Sequence, residues 1–166
     1  MDRILLNIDF QRSFMSSNGA KVAPEIERVA LKYKWDKIIQ TLWFNSKDSA
    51  SPYVTNLGYV ECSPEQRASG LVRRFKNSIM LTRYDAYSCM NDELLSHLRN
   101  VEMIYVTGWE TDACVLATCF SLFDRGYPFK VVTNCVHSKS ADAHESALVV
   151  MKRNFGECVL ITSNEI

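Results

Sequence analysis

Residues 103–126, MIYVTGWETDACVLATCFSLFDRG, decide the fold. Residues 103–106 form a short apolar run, typical of a buried strand, that leads into Thr107 and Gly108. Residues 111–125 then carry apolar side chains at helical spacing, and Gly126 is suited to end the helix because glycine readily adopts the left-handed conformation found there. The segment predicts a buried strand followed directly by a helix.

The same alternation extends over most of the chain. Four helices and six strands are expected: helices over residues 24–34, 91–98, 111–125 and 141–154, and strands over residues 4–8, 37–44, 78–82, 103–106, 129–133 and 158–161. Pro24 is expected near a first helical turn, and Asn91 is a candidate N-cap. Fully apolar strands alternating with helices indicate a parallel sheet covered on both faces. The prediction is therefore a three-layer α/β/α, Rossmann-like fold with a six-stranded, mostly parallel sheet and a single domain over residues 1–166. Residues 45–77 are expected to be irregular.

Composition excludes several classes of partner. The chain has 166 residues, 47% of them hydrophobic, and its 19 basic and 19 acidic residues leave no net charge. This balance gives no electrostatic reason to expect binding to nucleic acid or to an anionic membrane. No apolar stretch is long enough to span a bilayer, and the first residues do not show a basic region followed by an apolar one, so a cytoplasmic location with reduced thiols is expected. The six cysteines include no C-x-x-C pair, which argues against zinc and thioredoxin-like sites.

Three polar residues fall where the strands of such a sheet end. Asp9 follows the first strand, Arg83 ends the third, and Cys114 lies in the first turn of the helix after the fourth. Ligands of open α/β sheets bind at the carboxyl ends of the strands. Asp9, Arg83 and Cys114 therefore form a candidate site with a base, a cation and a nucleophile.

Cys114 is the candidate nucleophile because of its position. Unpaired backbone N–H groups and partial positive charge at a helix N-terminus stabilise a thiolate, and they also stabilise the oxyanion formed when that thiolate attacks a carbonyl. A buried structural cysteine is the alternative, and position alone does not separate the two. For Asp9 the alternative is a residue that caps a turn, and for Arg83 it is a surface residue.

Two segments resemble the isochorismatase-like hydrolases. Residues 9–14, DFQRSF, resemble the D-x-Q-x-x-F opening of that family, and residues 108–118, GWETDACVLAT, resemble its G-x-x-T-x-x-C-V-x-x-T signature. Residues 124–127 and 131–138 are similar to the family's next strand and loop, and Glu145 and Ala147 to its final helix. The resemblance covers nearly the whole chain except residues 45–77.

The resemblance implies an Asp–Lys–Cys triad that cleaves a small amide or related C–N bond through a cysteine thioester. Asp9 and Cys114 would supply the acid–base group and the nucleophile, and Arg83 falls where the family has lysine. The backbone amides of Glu110 and Cys114 would form the oxyanion hole. The family often has a cis peptide bond in this loop, which would fall between Trp109 and Glu110.

Other implications concern the pocket and its ligands. The expected substrate-binding residues are Gln11, Phe14, Trp43, Tyr87 and Trp109, with ordinary packing as the alternative for the aromatic ones. Cys114 favours the amide-hydrolysing branch. The Asp-x-His metal pair of nicotinamidases has no counterpart in residues 45–49, so no metal and no cofactor are expected. The family also leads us to expect a small-molecule substrate and a homo-oligomer.

Arg83 leaves a second function open. Arginine keeps the positive charge and can pair with Asp9 through two hydrogen bonds, but it is bulkier than lysine and does not release its proton. Such a pair would restrain Asp9 as a base, which points to a weakly active or inactive relative acting as a binding or assembly module. A third hypothesis, a dinucleotide-binding protein, is disfavoured because no G-x-G-x-x-G follows the first strand.

Overall fold

The structure is a computed structural model that describes residues 1–44 and 70–166. Its centre is one six-stranded sheet, formed by β1 (Asp2–Ile8), β2 (Lys37–Trp43), β3 (Ile79–Arg83), β4 (Val101–Trp109), β5 (Phe129–His137) and β6 (Leu160–Ile161). The strand order is β3-β2-β1-β4-β5-β6, and every neighbouring pair is parallel. This confirms the predicted sheet. The chain reverses its direction of winding between β1 and β4, which is where sheets of this order bind ligands.

Helices cover both faces of the sheet. They are α1 (Ser17–Lys32), α2 (Asp92–His97), α3 (Leu116–Asp124) and α4 (Ala141–Phe155), and one π-helical turn, Thr111–Val115, leads into α3. Successive residues of β1 point to opposite faces: Leu5 packs with α1, whereas Ile4 and Leu6 belong to the core beneath α2, α3 and α4. The result is the expected three-layer arrangement.

The first helix begins earlier than predicted. It starts at Ser17 instead of residue 24, because Ser16 is the N-cap and its side chain accepts a hydrogen bond of 3.3 Å from the amide of Gly19. Pro24 consequently lies inside the helix and not in its first turn. At α2 the prediction is confirmed, since Asn91 accepts a hydrogen bond of 2.9 Å from the amide of Leu94.

Strands β4 and β5 run further toward the site than predicted, to Trp109 and His137. Gly108 permits this extension. It pairs with Ile8 on one side and Val136 on the other, with φ at 109°, and a Cβ atom there would lie 2.0 Å from the carbonyl oxygen of Ile8. The close approach of β1 and β4 therefore requires glycine at this position.

Part of the segment predicted to be irregular, residues 45–69, lies outside the described residues. Beyond it, Leu71 forms an isolated antiparallel bridge with Gln11. In the described parts of the chain, no helix combines the length and apolar character needed to cross a membrane.

Candidate active site

Asp9 is fixed by the backbone and by a neighbouring strand. It follows β1 with φ at 46°, a left-handed conformation that aspartate tolerates better than most residues, and it is fully buried. The hydroxyl of Thr41 in β2 donates a hydrogen bond of 2.8 Å to Oδ1 of Asp9 and accepts one of 3.1 Å from its amide. Thr41 thus sets the direction of the carboxylate.

Arg83 joins the three residues of the site. Its Nε donates to Oδ1 of Asp9 at 3.2 Å, and its Nη2 donates to Oδ2 of the same carboxylate. The same Nη2 donates to Sγ of Cys114 at 2.9 Å, while Nη1 is held by the carbonyl of Asp85. The two-pronged contact expected from the sequence is present, and Arg83 is only 2% exposed. A surface arginine is therefore excluded.

Cys114 lies in the π-helical turn that follows β4. It is 7% exposed, and its thiol faces Arg83 on one side and the carbonyl of Ala86, 3.7 Å away, on another. Single π-helical turns of this kind are frequent at functional sites. The structure brings Asp9, Arg83 and Cys114, which are far apart in the sequence, into one buried cluster.

The charge balance of this cluster differs from the expectation that a helix N-terminus acidifies the cysteine. Burial, reinforced by the neighbouring Asp9 carboxylate, raises the pKa of the Cys114 thiol, and the opposing attraction of Arg83 is too weak to reverse this. For Arg83, burial disfavours the charge, but the hydrogen-bonded Asp9 carboxylate opposes this effect and the pKa of the guanidinium is raised. At neutral pH the site therefore holds a neutral thiol beside a charged guanidinium.

A small cavity of about 20 Å³ lies over the thiol. Three predicted substrate-binding residues, Phe14, Trp43 and Tyr87, line this cavity. The other described residues that line it are Ala86, Glu110, Ala113 and Cys114. This volume is close to that of one water molecule. Tyr87 is 49% exposed and forms part of the outer rim.

The structure does not bring Gln11 and Trp109 into that lining. The side-chain amide of Gln11 donates a hydrogen bond of 3.2 Å to the backbone carbonyl of Trp43. It accepts one of 2.9 Å from the backbone amide of Trp43, so the side chain is bound to the end of β2. Trp109 is fully buried, with its ring packed edge-on against Phe10 and His137.

The loop between β4 and Cys114 matches the expected geometry in one further respect. The peptide bond between Trp109 and Glu110 is cis. The backbone amide of Glu110 lowers the pKa of the Cys114 thiol, but this effect is smaller than that of burial.

Sequence reasoning missed Thr41, although β2 contains a signal that points to it. Gln40 and Thr41 are polar residues inside an otherwise apolar strand, and both are buried. Buried polar side chains are normally hydrogen-bonded, so their position beside β1 predicts a contact with a polar group there.

Within residues 1–44 and 70–166, no group of three or more His, Cys, Asp or Glu side chains is arranged to hold a metal ion. The described cysteines are unpaired, with Cys158 exposed and the other four buried.

Fold and site together define a doubly wound α/β protein with a buried Asp–Arg–Cys cluster at the point where the winding reverses. The family model for the isochorismatase domain matches residues 3–163. The chain therefore belongs to the isochorismatase family.

Individual relatives are distant. Isochorismatase family protein 2A from Dictyostelium discoideum is 29% identical over 93 residues, which cover 54% of this chain and 45% of that protein. The chain thus aligns with a little under half the length of this relative.

Solved structures agree in fold. A pyrazinamidase from Pyrococcus horikoshii, in complex with zinc, has a TM-score of 0.79 at 20% identity and covers 98% of both chains. N-carbamoylsarcosine amidase from Thermoplasma acidophilum has a TM-score of 0.77 at 17% identity, with coverage of 100% of this chain and 99% of that one. A nicotinamidase from Bacillus subtilis has a TM-score of 0.74 at 22% identity, with coverage of 94% and 97%. At these identities the likeness establishes the shared fold.

Proposed function

We propose that this protein is a cysteine hydrolase that cleaves a small-molecule amide or a related C–N bond through a thioester on Cys114. The observation that carries this proposal is the contact of 2.9 Å between Arg83 and the Cys114 sulfur, in a site where the same guanidinium holds Asp9. A nucleophile, a cation and a carboxylate are thereby gathered in one buried cluster, and covalent catalysis needs a nucleophile with activating groups beside it.

The first half of the reaction follows from the charges of the site. The Cys114 thiol is neutral, so its proton must leave as the sulfur attacks, and the neighbouring Asp9 carboxylate accepts that proton. The sulfur forms a bond to the carbonyl carbon, and the negative charge on the carbonyl oxygen is stabilised by the amides of Glu110 and Cys114. Asp9 then passes its proton to the leaving nitrogen as the C–N bond breaks, which leaves the thioester.

The second half reverses the proton movements. Asp9 takes a proton from a water molecule, the resulting hydroxide attacks the thioester carbonyl, and the acid product leaves as the Cys114 sulfur regains its proton from Asp9. Arg83 does not exchange protons in either half. Its roles are to hold Asp9 and to stabilise negative charge as it develops on the sulfur.

The experiment replaces Cys114 with alanine and measures hydrolysis of a panel of primary carboxamides and N-carbamoyl compounds. We expect a loss of about 10⁴-fold or more in kcat, as for removal of other covalent nucleophiles. Cys158→Ser is the matched control because Cys158 is exposed and distant in sequence from the site. Mass spectrometry of the native protein with substrate should show acylation of Cys114 only. Hydrolysis that survives in Cys114→Ala would refute the proposal.

A second candidate function is a catalytically weak relative that acts as a binding or assembly module. Two observations favour it: Arg83 occupies both oxygens of Asp9, and the cavity over Cys114 holds about 20 Å³. Under this proposal the native protein shows no turnover with the panel and self-associates in light scattering. Strong turnover of the native protein that Arg83→Lys does not improve would exclude this candidate.

A further inference from the structure

Three consecutive residues of the nucleophile loop, Glu110, Thr111 and Asp112, are held by the segment that joins β5 to α4 and by the first turn of α4. Ser138 is the central contact: its hydroxyl donates to Oδ1 of Asp112 and accepts a hydrogen bond of 3.2 Å from the Asp112 amide. It is 2% exposed. One hydroxyl thus binds the side chain and the backbone of the same residue, two positions before Cys114.

The other two contacts hold the two residues that precede Asp112. Oγ1 of Thr111, which is fully buried, lies 2.9 Å from Nδ1 of His144 in the first turn of α4. The Glu110 carboxylate accepts from the Lys139 amide at 3.5 Å and lies 4.0 Å from its Nζ. We call the contacts of Ser138, Lys139 and His144 with residues 110–112 the loop clasp.

The position of the clasp gives it a consequence for catalysis. In the described structure, Ser138, Lys139 and His144 form no hydrogen bond or ion pair with Asp9, Arg83 or Cys114, yet the residues they hold connect β4 to Cys114. The oxyanion donor proposed at Glu110 lies in the same segment. A shift of about 1 Å in reacting groups can reduce a rate by about 10²-fold.

We propose that Ser138 and His144 are positioning residues, which hold the nucleophile loop so that Cys114 stays in contact with Arg83. This inference rests on the proposed role of Cys114 as the nucleophile. Without the clasp, the loop moves outward, the thiol leaves Arg83 and gains solvent, and the oxyanion donors lose their alignment. The signature is a cysteine that reacts faster with a small alkylating reagent while the enzyme turns over more slowly.

The test compares Ser138→Ala with Ser140→Ala. Ser140 caps α4 by accepting a hydrogen bond of 3.2 Å from the Ala143 amide, and in the described structure it forms no hydrogen bond with residues 110–112. Its replacement therefore weakens the same helix end but keeps the contacts of Ser138. Alkylation of Cys114 by iodoacetamide is followed by mass spectrometry of its peptide, kcat and KM are measured on the amide panel, and unfolding is measured in urea.

For Ser138→Ala we expect kcat to fall by about 10²-fold with little change in KM, and alkylation at neutral pH to accelerate by about tenfold or more. Ser140→Ala should change stability but neither rate. Asp112→Asn, which keeps an acceptor oxygen toward Ser138, should behave as the native protein. In His144→Asn the amide can replace Nδ1 toward Thr111, whereas His144→Leu should resemble Ser138→Ala.

Equal alkylation rates in Ser138→Ala and Ser140→Ala would overturn the inference. The alkylation measurement needs no substrate, so its outcome is separate from that of the proposed hydrolysis. If Cys114→Ala retains activity, the proposed function fails, while faster alkylation in Ser138→Ala alone would still show that the clasp holds the thiol in place.

Discussion

Replacing Arg83 with lysine is the most informative single change, because Arg83 makes four hydrogen bonds that one ammonium cannot reproduce. It binds both oxygens of Asp9, the carbonyl of Asp85 and the sulfur of Cys114. A lysine carries three donors on one atom, so it must give up the span across the carboxylate or the Asp85 contact. A hydrogen bond to a charged group contributes about 1.5–3 kcal/mol, and we expect the free energy of unfolding to fall by about 2 kcal/mol.

Turnover should move in the opposite direction. With lysine at position 83, one oxygen of Asp9 is released from the cation and can accept the Cys114 proton. General-base catalysis typically contributes 10²–10⁴-fold, and recovery of part of this effect predicts an increase in kcat of about tenfold. The assay is hydrolysis of the amide panel, with urea unfolding measured on the same samples.

Two control variants separate this effect on kcat from a general loss of stability. Arg12→Lys changes an arginine whose side chain binds the carbonyl of Leu71 at 3.1 Å, outside the site, and should leave kcat unaltered. Arg83→Met leaves Asp9 buried without its cation, for which a loss of about 3–5 kcal/mol is expected. A folded Arg83→Lys protein with unchanged or lower kcat would refute the reasoning that Arg83 restrains the base.

Three further predictions concern the surroundings of the site. Thr41→Val removes both hydrogen bonds to Asp9 and leaves the Asp9 backbone amide without a partner. We therefore expect the free energy of unfolding in urea to fall by about 1–3 kcal/mol and kcat to decrease. Native values of both would contradict the role of Thr41. Gly108→Ala places a methyl group against the Ile8 backbone. We expect it to lower the free energy of unfolding by about 1–3 kcal/mol or more, as overpacking does, and thermal unfolding measures the change. The free energy of unfolding should also fall as the pH rises above about 8.5, because thiols of the unfolded chain ionise there, whereas burial raises the pKa of four thiols in the folded protein. Well above that pH, each of these thiols lowers the free energy of unfolding by about 1.4 kcal/mol per pH unit. Urea unfolding at about pH 7.5 and 9.5 measures this loss. These thiols are Cys89, Cys114, Cys119 and Cys135.

The sheet was predictable because its signals are local. Apolar runs bounded by turn residues identify strands, and their alternation with helices requires a parallel sheet. The ends of β4 and β5 were not predictable in this way. Gly108 weakens a strand pattern in the sequence, but in the fold it allows β1 and β4 to approach, and only the neighbouring strand reveals that requirement.

The clustering of Asp9, Arg83 and Cys114 was predictable, but the charge balance of the cluster was not. Asp9, Arg83 and Cys114 each end or follow a strand, and parallel strands bring such ends together. The pKa of Cys114 depends on burial and on the distances to Asp9 and Arg83, which no spacing in the sequence contains. Arg83 and the Glu110 amide favour ionisation of the thiol, and desolvation together with Asp9 outweighs them.

The contacts of Asp9 explain why the site tolerates arginine at position 83. The carboxylate is held twice, by Arg83 and independently by Thr41, and the left-handed backbone at Asp9 also fixes its direction. The position of the base therefore does not depend on the cation alone. What the cation determines is how accessible the base is to a proton, because a guanidinium that spans both oxygens occupies the atoms that would accept it. Arginine consequently preserves the geometry of the site while opposing the first proton transfer, and rate measurements on Arg83→Lys separate these two effects.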